Sequence, residues 1–80
     1  MKPRLYYWLL LSGETEDDAV RYRTKREAIA DYAGAAQELA RYGQAIDGCI
    51  YVARMRDEIV DYPDFALSLG PRGGVRCEPC

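Results

Sequence analysis

The chain has 80 residues, enough for one domain near the lower size at which a single core suffices. Apolar residues make up 49% and seven residues are tyrosine, a composition that folds rather than stays disordered. The formal charge of −2 argues against a general nucleic-acid binder held by phosphate neutralisation, and the lack of histidine removes the commonest neutral-pH general base and metal ligand.

Arg4 to Ser12 reads as the first strand. Leu5, Tyr7, Leu9 and Leu11 fall on one face, and Tyr6, Trp8 and Leu10 on the other, which places it inside a sheet. Lys2 and Arg4 precede the run, as in a leader. Tyr6 to Leu11 is nevertheless far shorter than the ~20 residues of a membrane span. The SGETEDD that follows offers no small-residue cleavage site. The expectation is a cytoplasmic protein, and an odd number of cysteines, three, fits a reducing compartment.

Ser12 to Asp18 is a turn that gathers Glu14, Glu16, Asp17 and Asp18. Ala19 to Arg23 alternates as an edge strand, with Val20 and Tyr22 on one side and Arg21 and Arg23 on the other. Thr24 to Tyr42 is the clearest helix. Thr24 can cap it, and Glu27 stands where a capping box needs it. Ile29, Tyr32, Ala33, Ala36, Leu39 and Ala40 form its apolar stripe, and Gly43 suits a left-handed exit residue. Gln44 to Met55 reads as the third strand, with Ile46, Ile50 and Val52 opposite Cys49, Tyr51, Ala53 and Met55; Gly48 reads as a bulge. Arg56 to Asp64 is a loop or a single helical turn stopped at Pro63. Phe65 to Leu69 is the fourth strand, Gly70 to Gly74 a turn, and Val75 to Cys80 a short strand or a tail.

These elements predict a single α+β domain over residues 1–80: a two-layer sandwich in ββαββ order, one helix packed on a mixed antiparallel sheet with strands ordered 2-1-3-4. The core spans about residues 4–69, with residues 70–80 as turn and short strand or mobile tail. A helix roughly 10 Å wide cannot cover four strands ~4.8 Å apart. Leu9, Ile46, Ile50 and Val52 are therefore expected beneath the helix. Tyr6, Trp8, Tyr51 and Met55 are expected on the less covered face, where they serve a partner or a homodimer.

Chemistry has few carriers here. Ser12 and Ser68 lie in no nucleophile-elbow pattern, and Gly70 to Gly74 lacks the lysine and helix of a phosphate loop. No enzyme activity and no cofactor are expected. Cys77 and Cys80 form a CxxC. It supplies too few ligands for a closed zinc site in one chain, so a zinc-bridged dimer is the metal alternative. The acidic turn is either a solvated hairpin or a mimic of phosphate spacing that engages a basic surface. Arg23, Lys25, Arg26, Arg54 and Arg56 collect at the other end of the sheet, where any nucleic-acid binding, expected to be weak, would occur. Asp57, Glu58, Asp61 and Asp64 fall at that end and neutralise part of this charge.

The stretch YRTKREAIADYAGAAQELARYGQAI followed by DEIVDYPDFALSLGPRGGVRC resembles small proteins carried by bacteriophages and prophages. The resemblance implies action by stoichiometric binding to a host protein, as anti-CRISPR inhibitors do when they block nucleic-acid or subunit binding by a CRISPR effector. It brings no catalytic motif. The partner-binding residues singled out are Tyr6, Trp8, Glu14, Glu16, Asp17, Asp18 and Tyr51.

Overall fold

A computed structural model of the chain describes residues 4–53 and 62–80. Strand β1 (Tyr6–Leu11) leads through a short 3-10 turn (Glu16–Asp18) to β2 (Val20–Tyr22). Helix α1 (Lys25–Ala40) follows, then β3 (Gly48–Ala53), β4 (Phe65–Leu69) and β5 (Val75–Pro79). The fold is α+β, one helix over a five-stranded sheet ordered β2-β1-β3-β4-β5.

Every neighbouring pair in the sheet is antiparallel, which corrects the expected mixed sheet. The helix joins β2 to β3, which run the same way, but β1 lies between them and no parallel ladder forms. In place of the expected ββαββ, the order is ββαβββ. The C-terminal residues are not a tail, because Pro71 and Gly73 turn the chain back on itself. The Gly73 amide donates to the Gly70 carbonyl at 3.0 Å, and the Gly70 amide to the Gly74 carbonyl at 2.7 Å. Gly73 takes φ +84°, the left-handed residue that follows a type I turn in a hairpin. Val75 and Cys77 on the returning strand then pack against the core.

Helix α1 starts where its local chemistry directs. The Thr24 hydroxyl accepts from the Glu27 amide at 3.1 Å and itself donates to the Glu27 carboxylate at 3.1 Å. At the far end the Gly43 amide reaches the Ala40 carbonyl at 3.1 Å and the Gln44 amide the Leu39 carbonyl at 3.0 Å. With Gly43 at φ +74°, this is a Schellman closure. Gln44 is thereby committed to the helix exit and the Ile46 carbonyl to the Tyr32 hydroxyl, so β3 begins at Gly48 rather than at Gln44. The buried line on the helix is Ala28, Tyr32 and Ala36, one residue every turn, while Ala40 is exposed and leaves the expected stripe.

The core lies between α1 and one sheet face. Leu9, Ala28, Tyr32, Ala36, Ile50 and Leu67 are its buried centre, with Tyr7, Ile46, Val52 and Phe65 packed around them. Strand alternation sends Leu9, Ile50 and Val52 to the helix side, as expected. Gly48 is paired with Leu11 and with Leu67 in regular register, so it marks no bulge. Asp64 closes the sheet where β4 begins: its amide donates to the Ile50 carbonyl at 2.8 Å and its carboxylate accepts from the Val52 amide at 2.7 Å. That carboxylate is thus tied to the backbone. Met55, Arg54, Arg56, Asp57, Glu58, Asp61 and most of the Arg56–Asp64 segment lie outside the described residues. Among the described residues no helix is long and apolar enough to cross a membrane.

Tyr22 ties β2 to the helix by donating its hydroxyl to the Asp31 carboxylate. Burial first, then this hydrogen bond and the Asp31 charge, push its pKa from 10.0 up to about 12. The folded state therefore holds the phenolic proton more tightly than the unfolded chain does. The resulting stabilisation is complete below pH 10.0 and is lost as pH rises through about 12. In an ultraviolet titration of phenolate absorbance, Tyr22→Phe is expected to remove a component near 12. A variant that still shows that component would show that another tyrosine carries it.

Candidate functional site

The face turned away from α1 is built from the alternate residues of the same strands. Trp8 stands opposite Tyr51 on β3 and Arg21 on β2, Tyr6 opposite Ala53, and Leu10 opposite Cys49. Tyr6, Trp8 and Tyr51, the three aromatic residues singled out from the sequence, therefore share one surface, and all three are half-buried. Arg21 lies across it, its guanidinium carbon 5.3 Å from the Tyr6 ring centre and 6.0 Å from that of Trp8. A guanidinium over these ring faces is attracted by the ring quadrupole and covers part of the apolar area. Strand alternation shows Arg21 on this side, but only the register shows which rings it meets.

The Trp8 indole Nε1 is buried and has no hydrogen-bond partner among the described residues. A buried indole N–H ordinarily finds an acceptor, and leaving one unpaired costs about 1–3 kcal/mol. Tyr51 sits beside Cys49 on the same strand. Its phenol is pushed up by burial, then by the Cys49 thiol, the Glu16 carboxylate and Cys80. The Cys49 thiol is raised by burial, an effect opposed by its hydrogen bond with Tyr51. Both groups stay protonated at neutral pH, so neither is set up as a nucleophile.

The acidic residues separate into two roles. Glu14 accepts from the Leu11 amide at 3.0 Å, and Asp18 accepts from the Thr15 amide at 3.1 Å and the Thr15 hydroxyl at 3.2 Å. These two carboxylates hold the turn together. The Ser12 amide donates to the Asp47 carbonyl at 2.8 Å, which fastens the turn to the segment between α1 and β3. Glu16 and Asp17 remain exposed, and the influence of Glu16 on Tyr51 joins the turn to the aromatic face.

The CxxC does not form a ligand pair. Cys77 packs against the helix-side core, whereas Cys80 is exposed and acts on Cys49 and Tyr51 across the other face. Residues separated by an odd number along an extended chain point to opposite sides of a sheet. Among the described residues no group of three or more potential metal ligands occurs. At the helix start, Lys25 places its ammonium 3.9 Å from the Phe65 ring centre, and Arg23 and Arg26 are exposed. No family model, curated protein or solved structure matches the chain.

Proposed function

We propose that the chain is a non-enzymatic module that binds a partner protein stoichiometrically through the sheet face opposite α1, with the acidic turn as its charged rim. The observation that carries this reading is the grouping of Tyr6, Trp8 and Tyr51 on one face. Half-buried aromatic residues are the usual anchors of protein interfaces. Glu16 and Asp17 favour a partner with a basic surface and speed encounter with it more than they raise affinity. In the form suggested by the phage-protein resemblance, the partner is a host protein such as a CRISPR effector subunit and the outcome is inhibition.

The test is affinity capture from bacterial lysate followed by binding kinetics on the captured protein. Trp8→Ala is expected to weaken binding about thirtyfold through faster dissociation, as loss of a ~2 kcal/mol anchor does. Reversal of charge at Glu16 and Asp17 should slow association and leave dissociation nearly unchanged. Circular dichroism serves as the folding control. A folded Trp8→Ala protein with the wild-type dissociation rate would move the functional surface elsewhere. Capture of the chain by itself would make the face a homodimer interface.

A further inference from the structure

At the β2 edge of the sheet, where Tyr6 and Arg21 from one face meet Tyr22 and Glu27 from the helix side, lies a cleft of about 400 Å³, lined also by Arg4 and Arg23. That volume falls within the roughly 300–1,000 Å³ typical of small-ligand sites. Among the described residues arginine dominates the lining, three guanidinium groups against the single carboxylate of Glu27, which accepts from the Thr24 hydroxyl. The Tyr22 hydroxyl is likewise committed to Asp31. The cleft therefore presents the guanidinium groups of Arg4 and Arg23 beside Tyr6 and the Arg21 stacked on it.

We propose that this cleft binds a nucleotide of single-stranded nucleic acid, its phosphate held by Arg4 and Arg23 and its base stacked against Tyr6 and Arg21. Guanidinium forks match phosphate oxygens in paired hydrogen bonds. Planar aromatic and guanidinium groups offer the stacking that an unpaired base uses. An acidic peptide would occupy the arginines but leave the stacking surface unused. The net charge of −2 confines attraction to this locality, so binding is weak and sensitive to salt. The cleft shares Tyr6 with the face proposed above for a partner protein, whereas Arg4 and Arg23 belong to the cleft alone, so the arginine variants test this site without testing that reading.

Trp8 is the single tryptophan, and Arg21 lies 6.0 Å from its ring, so its fluorescence reports on the site. The full chain is titrated with a short single-stranded DNA, with inorganic phosphate and with polyglutamate. The DNA should bind most tightly, with a log–log salt slope of about −0.7, as for one neutralised phosphate. Arg4→Ala and Arg23→Ala should each lower its affinity about tenfold while circular dichroism stays unchanged. Tyr6→Leu should weaken the DNA and leave inorganic phosphate unaffected. The proposal is overturned if DNA fails to bind in the titration and in a gel shift, or if the arginine variants bind as wild type. Phosphate binding as tightly as DNA would remove the base from the site, and equal binding of polyglutamate would make it a site for acidic peptides.

Discussion

Replacing Tyr32 by alanine is expected to cost about 3–5 kcal/mol, the range for removing a large aromatic residue from a core. A domain of 80 residues has a total stability on the order of 4–12 kcal/mol, so this one change threatens the fold. Tyr32 is completely buried between the helix and the sheet. Its ring fills the space above Gly48, and its hydroxyl donates to the Ile46 carbonyl at 2.6 Å. Tyr32→Phe separates the two contributions. The ring remains, and the expected loss falls to about 1–2 kcal/mol, the penalty for leaving a partly buried carbonyl without its donor. Urea denaturation of both variants, followed by far-ultraviolet circular dichroism, measures the difference. If phenylalanine were as damaging as alanine, the hydroxyl rather than the ring would be the main support.

The second large effect is expected at Gly48. A β-carbon there would lie 2.9 Å from Tyr32 Cδ1 and 3.2 Å from Cε1. The ring has little freedom to retreat, because it is buried and pinned through its hydroxyl. Gly48→Ala should therefore cost about 1–3 kcal/mol despite the general preference of strands for alanine over glycine. The clash is with one side chain, so it should disappear when that side chain changes. In a Tyr32→Leu background the same Gly48→Ala change is expected to be neutral or stabilising by up to about 1 kcal/mol. Equal losses in both backgrounds would place the strain in the β3 backbone instead.

Much of the architecture is legible because its determinants are local. Thr24 with Glu27, the i,i+4 recurrence around Tyr32, and Gly43 together define a helix from contacts within a few residues. Period-two alternation sorts Leu9, Ile50 and Val52 from Tyr6, Trp8 and Tyr51, since a strand can present only two faces. The aromatic part of the candidate site could be read for the same reason. Glu14 and Asp18 could not be told from Glu16 and Asp17 by composition, because hydrogen bonds alone make the first pair structural.

The remaining features depend on register between segments far apart in the chain. The β4–β5 hairpin turns Val75–Pro79 into a fifth strand and sends Cys77 and Cys80 to different sides of the sheet. Pairing of β1 with β2 lays Arg21 over Tyr6 and Trp8. Packing of the helix makes Gly48 a close-approach position rather than a bulge. A one-residue change in any of these alignments would reverse which side chains meet. The alignment is selected by burying Leu9, Ile50 and Leu67 together under α1, a condition that no single segment can satisfy alone.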